Sequence, residues 1–132
     1  MKVPTQIPGL QMATVMIAVY AALWISLEGA LGRVMVMGVG VTAVSLLHLL
    51  QKQFGGQILS LRKWLGLAAI FGLLFGLGSG LLTLTFMAVK TGLHSHGPEF
   101  TLGDIQWVSQ QLPLWAMVGV LIGLGLGMLT AK

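Results

Sequence analysis

At 132 residues the chain has single-domain length, yet 56% of it is hydrophobic and only 8% charged, against about a quarter charged in a soluble domain. A domain of this size buries only about two-thirds of its surface, so the apolar excess must meet lipid instead of water. The net charge of +4 comes from seven Lys and Arg scattered between apolar runs; they form no basic stripe, which argues against a nucleic-acid partner, and the absence of cysteine excludes disulfides, thiolate nucleophiles and cysteine-bound metals.

Four apolar runs follow in order: about Leu10 to Leu27, Val34 to Leu50, Trp64 to Val89 and Leu112 to Thr130, none with a charged residue. At about 1.5 Å per helical residue the first two cover about 25 to 27 Å, slightly less than the roughly 30 Å hydrocarbon core, and the third about 39 Å, so it must tilt or project. The expected fold is an all-α integral membrane bundle of four transmembrane helices. Glu28 to Arg33, EGALGR, suits a tight hairpin between the first two spans, with a Glu28/Arg33 ion pair in the turn. A second reading makes Lys2 and the first run a signal peptide cleaved after Gly32.

Lys2, Lys52, Arg62, Lys63 and Lys132 fall on one side of a four-span model and Arg33 and Lys90 on the other. Cytoplasmic loops carry the excess of Lys and Arg, so both termini are expected on the cytoplasmic side. Trp24, Trp64, Trp107 and Trp115 stand near the predicted span ends, where indoles favour the headgroup layer. His48, near Lys52, is expected to point to the cytoplasmic interface.

Between the third and fourth spans lies the long polar segment Lys90 to Gln111. Thr101 and Asp104 have the spacing of a capping box with Asp in place of Glu, and Leu102, Ile105, Val108 and Leu112 then share one helical face. This reads as a short interfacial helix on the outer leaflet.

The third and fourth spans share a pattern, GLLFGLGSGLLT from Gly72 to Thr83 and GVLIGLGLGMLT from Gly119 to Thr130. Gly72, Gly76 and Gly80, like Gly119, Gly123 and Gly127, recur every fourth residue and line one helix face. Close backbone packing supplies much of the association between helices in lipid, so these six glycines are the expected packing positions. Pairing within the chain is the leading reading, ahead of homo-oligomerisation or docking on another membrane protein, and of a glycine-lined permeation path.

Chemistry is sparse. His94 and His96 are two apart, so an extended backbone points both rings to one side, and Glu99 or Asp104 supplies a third, oxygen ligand. His94, His96 and Glu99 are therefore the candidate metal ligands for a divalent ion. A hydrogen-bonded surface loop and a partner-docking motif, built from Lys90, His94, His96 and Trp107, are the competing readings. The span hydroxyls have no His and acid beside them in sequence, so they are expected to bond across helices or to their own backbone. No other cofactor is expected, and no enzymatic activity.

The stretch from Phe86 to Asp104, FMAVKTGLHSHGPEFTLGD, resembles one found in small uncharacterised membrane proteins of cyanobacteria and plastids, in which a Lys ends a span and a Gly-Leu-His-x-His-Gly turn follows. The resemblance implies an accessory membrane protein, in or near thylakoid membranes, with Lys90, His94 and His96 as functional positions. It implies no known reaction.

These readings converge on a non-enzymatic accessory subunit or assembly factor of a plasma-membrane or thylakoid complex, whose partners are the bilayer and another membrane protein or a second copy of the chain. The alternative is a small channel or transporter for a divalent metal. Metal flux into proteoliposomes that disappears in the His94→Ala, His96→Ala double variant is the outcome expected of that alternative; flux that is absent, or unchanged in the variant, eliminates it.

Overall fold

The structure, a computed structural model, describes residues 2–26, 30–93 and 100–131. These form four helices, α1 (Leu10–Ser26), α2 (Leu31–Phe54), α3 (Leu61–Leu93) and α4 (Leu102–Thr130). Among the described residues there is no strand, only an isolated antiparallel bridge between Lys2 and Ile58. The second, third and fourth predicted apolar runs lie within helices that extend beyond them, and the first coincides with α1 as far as Ser26.

Three of the helices, over Leu31–Phe54, Leu61–Gly92 and Leu102–Thr130, are long and apolar enough to cross a membrane. With 24, 33 and 29 residues, α2, α3 and α4 are about 36, 50 and 44 Å long. Helix α1 has 17 residues, about 26 Å. Of the four spans expected from sequence, three are helices long and apolar enough to cross a membrane and the first is a shorter apolar helix.

The separate interfacial helix expected before the fourth span is absent. Its residues form the first turns of α4, which runs without a break through Pro113. Proline removes one intrahelical hydrogen bond and crowds the carbonyl four residues back, but α4 is held on both sides of it. On one side Val108 is fully buried in a cluster with Trp24, Val34, Met37, Met87 and Phe100; on the other Leu112 and Trp115 lie against Gly80 of α3. The capping box does form: the Thr101 hydroxyl accepts from Asp104 N and the Asp104 carboxylate from Thr101 N, both at 3.1 Å.

Helix α3 is the centre of the bundle. Its contact with α4 is the most extensive, followed by that with α2, while α1 packs chiefly on α2. On the α4 side no side chain separates the two backbones at several positions. A Cβ placed on Gly119 would meet the carbonyl of Gly72 and lie 2.9 Å from Gly76 N; one on Gly123 would meet the carbonyl of Ala68 and lie 2.9 Å from the Gly72 Cα; one on Gly76 would meet the carbonyl of Trp115. Towards the ends of the seam the pairing changes, Gly80 facing Leu112 and Gly127 facing Ala68. The two antiparallel glycine rows therefore meet each other only in the middle.

The α2 face of α3 is close-packed by other means. A Cβ on Gly38 would lie 2.7 Å from the Ser79 carbonyl and 2.9 Å from Thr83 N. Thr42 and Thr83 are buried there, each hydroxyl donating to the carbonyl four residues back in its own helix, Gly38 at 2.6 Å and Ser79 at 2.7 Å. Backbone donation of this kind satisfies hydroxyls where water is absent.

Chain ends and connections group by charge. Val3 pairs with the α2–α3 connection through Val3 N to Gln57 O and Gly56 N to Val3 O, at 2.9 and 2.8 Å, Gly56 adopting φ +82°. Trp64 Nε1 donates to Gly127 O at 2.9 Å, which brings the end of α4 to the same end of the bundle. Lys2, Lys52, Arg62 and Lys63 accordingly share one end, while Arg33 and Lys90 lie at the other.

The seam gives a graded expectation for glycine substitutions. Gly119→Ala puts a methyl group into the backbone of α3 and should lower stability by about 1 to 3 kcal/mol, as overpacking does. A Cβ at Gly66 meets nothing within 4 Å, so Gly66→Ala should be neutral or gain up to about 1 kcal/mol in helix propensity. Thermal unfolding of both variants in detergent measures the difference; equal melting temperatures would contradict the seam.

Candidate functional site

Lys90, near the end of α3, is 1% exposed. Its ammonium donates to the main-chain carbonyl of Trp24 and lies 4.6 Å from the centre of the Trp24 ring. Trp24 is in the last turn of α1, where the helix presents its carbonyl oxygens. Lys90 thus caps α1 from another helix. Three effects favour its charge there: a charge-assisted hydrogen bond, the negative end of the α1 dipole, and the face of an indole.

The surroundings hold that geometry in place. Trp24 packs edge-on to Phe86, four residues before Lys90 on α3, with ring centroids 5.9 Å apart. Met87, Val34, Phe100 and Val108 complete an apolar shell to which all four helices or their flanks contribute. Nearby, Tyr20 Oη donates to Arg33 O at 3.1 Å and ties α1 to the start of α2.

This placement corrects the docking role expected of Lys90. An ammonium enclosed by its own chain does not present itself to an outside partner; it joins α1 to α3. Trp107, by contrast, is 42% exposed and packs edge-on to Trp115 at 6.5 Å. Leu102 and Ile105 are also exposed on the first turns of α4. Trp24 and Trp64, near the ends of α1 and α3, are buried within the bundle.

His94, His96 and Glu99 lie outside the described residues, as does Glu28 of the expected turn ion pair. Among the described residues no three His, Asp or Glu side chains gather as metal ligands. The six glycines are placed as given above, four of them, Gly72, Gly76, Gly119 and Gly123, backbone to backbone.

At the opposite end lies a polar junction that residue-by-residue inspection misses. His48 Nε2 and the Thr14 hydroxyl are 2.8 Å apart, joining α2 to α1, and the Gln51 side-chain oxygen accepts from Ile7 N at 2.7 Å. Ile7, His48 and Gln51 border an open cavity of about 810 Å³ whose wall also includes Gln6, Leu10 and Val15. The signal was present in the hairpin itself: antiparallel runs pair positions at comparable distances from their turn, and Thr14 and His48 are such a pair. Deeper in the bundle, the Ser79 hydroxyl and the Trp24 indole N–H are buried without a hydrogen-bond partner within the described residues.

No family model, curated protein or solved structure matches this chain. Its functional reading therefore starts from the geometry.

Replacing Lys90 with Met keeps the aliphatic stem and removes the donor. Lys90→Met is expected to cost about 1.5 to 3 kcal/mol, the range for hydrogen bonds to charged groups. It should also speed amide exchange in the last turn of α1 more than in the α3–α4 seam. Uniform acceleration throughout the bundle would count against a local cap.

Proposed function

We propose that this protein is a multi-pass membrane protein acting as a non-catalytic accessory subunit or assembly factor, with a rigid α3–α4 hairpin as its scaffold. The observation that carries this reading is how its polar and apolar groups are disposed. Apolar side chains cover the outside: Met16, Leu121 and Met128 are 64%, 63% and 67% exposed. Water would penalise such a surface, and lipid or an apolar partner would cover it without penalty.

Inside, the polar groups serve the fold. Thr42 and Thr83 bond their own helices, Trp64 bonds α4, and Lys90 bonds α1. Ion and proton paths through a bilayer are usually marked by ionisable groups facing a wet cavity; the open cavity beside His48 lies at the end of the bundle between α1 and α2, and the two cavities between α2, α3 and α4 are lined almost entirely by apolar side chains. That supports a scaffold over a transporter.

For the partner surface we favour the exposed α4 stretch around Trp107, which follows in sequence the segment that carries His94 and His96. Aromatic residues are frequent anchors of protein interfaces. The positive-inside rule orients the bundle with Lys52, Arg62 and Lys63 towards the cytoplasm or its equivalent, and both chain ends on that side.

The natural chain has no cysteine, so single cysteines report topology cleanly. Gln57→Cys should react with an impermeant maleimide only from the cytoplasmic side, and Gln106→Cys only from the other; the reverse pattern overturns the orientation. Purification in mild detergent should recover a stoichiometric membrane partner that is lost on Trp107→Ala. A chain that purifies alone at every detergent strength contradicts the subunit role.

A further inference from the structure

The connection between α2 and α3 combines two features that the packing of the bundle does not use. The first is uncompensated charge. Among the described residues the only acid is Asp104, and its carboxylate closes the capping box at the far end of the bundle. Arg62 and Lys63 stand in the first turn of α3, where a cation opposes the helix dipole. Neither an acid within the described residues nor the stability of the helix accounts for them. The positive-inside rule accounts for the side on which they lie, but not for the apolar residues set among them.

Those residues are the second feature. Ile58 is 80% exposed, more than any other large apolar side chain among the described residues, and Leu61 is 59% exposed. The backbone that carries them is well tied. Lys2 and Ile58 form the antiparallel bridge, and the fully buried Val3 bonds Gln57 and Gly56 on the same connection. Ser60 starts α3, its carbonyl accepting from Trp64 N at 2.9 Å and its hydroxyl from Lys63 N at 3.4 Å. Ile58 is thus held outward by an ordered connection, with Lys2 opposite it in the bridge and Arg62 and Lys63 four and five residues on. All three basic side chains are exposed.

Depth agrees with this arrangement. Leu61 precedes Trp64, where the apolar run begins, by about 4.5 Å along the helix axis. The polar layer on each side of a bilayer is roughly 5 to 7 Å deep, so in a bundle that crosses the membrane the connection lies among headgroups. Exposed apolar side chains beside cations are the means by which interfacial segments enter the headgroup and acyl boundary of an anionic leaflet. An acidic protein segment would meet the cations and leave Ile58 and Leu61 uncovered, whereas an anionic lipid surface satisfies both.

We propose that the α2–α3 connection is a binding site for anionic phospholipid headgroups, in which Lys2, Arg62 and Lys63 meet the phosphate charge and Ile58 and Leu61 lie at the acyl boundary. The site rests on the membrane-embedded reading given above.

The test reconstitutes the full chain in bilayers of equal phosphatidylglycerol and phosphatidylcholine, extracts it in mild detergent and identifies the retained lipids by native mass spectrometry. Phosphatidylglycerol should exceed phosphatidylcholine by about tenfold or more, since each basic residue near the surface favours an anionic lipid about fivefold. Lys2→Gln, Arg62→Gln and Lys63→Gln together should bring that ratio close to one. Should the triple variant fail to fold, Arg62→Gln with Lys63→Gln leaves the bridge untouched and should lower the ratio most of the way. In the same bilayers a bimane label on Ile58→Cys should be quenched by lipid bearing a nitroxide near its headgroup and spared by aqueous acrylamide, which is uncharged and insensitive to the surface potential.

The inference is overturned by equal retention of the two lipids, by a preference undiminished in the folded charge variants, or by a bimane that acrylamide quenches and the nitroxide lipid does not, the result expected if the connection instead faces an acidic protein across water. Alkaline carbonate extraction of the same vesicles scores the underlying reading separately. A chain that is released refutes the membrane reading, whereas one that stays embedded without a lipid preference refutes only the headgroup site.

Discussion

Where α4 carries Gly119 and Gly123, the carbonyls of Gly72 and Ala68 on α3 take the space that side chains would otherwise fill. Two helices in this contact have little freedom to slide or rotate, since any other register would drive a side chain into a backbone. Between lipid-facing helices the hydrophobic effect gives little net attraction, and shape fit with short-range dispersion must hold them together. The seam therefore sets where the long axis of the molecule lies and which faces of α3 remain for other helices.

The rest of the bundle is attached to that axis with progressively fewer contacts. Helix α2 uses the same device once, Gly38 against Ser79 and Thr83. Helix α1 touches α2 sparingly and is secured largely by polar ties near its two ends, Thr14 with His48 at one and Lys90 with the Trp24 carbonyl at the other. In a low-dielectric surrounding such ties are costly to break, because the alternative is an unpaired polar group without water. A charge is thus used where a short helix lacks the contact area to hold itself.

Much of this architecture could be read from residue order. Four charge-free runs, a turn with two glycines, a Thr-x-x-Asp start and two matching glycine rows translate into helices and the pairing of the last two through local rules of period and spacing. The roles of Lys90 and Trp24 could not be read that way. Each sits at the end of an apolar run, where a lysine or tryptophan usually reaches for the membrane interface, and their side-chain directions depend on the distance between α1 and α3. Pro113 depends on context in the same way: its local cost favours a break, and contacts on both sides of it, Val108 in the core and Trp115 on Gly80, keep α4 continuous.

Sequence by itself determined the all-helical fold, the apolar exterior, the segregation of basic residues to one end and the pair of helices able to approach most closely, because hydrophobicity, charge and the absence of a Cβ are properties that each residue carries with it. Tertiary structure alone decided that the glycine rows meet only in their middle, that Lys90 faces inward to cap α1, that Thr14 finds His48, and that α2 and α4 stand apart over α3. Those outcomes depend on helix register and separation, which are set jointly by every contact along a seam and by no single position within it.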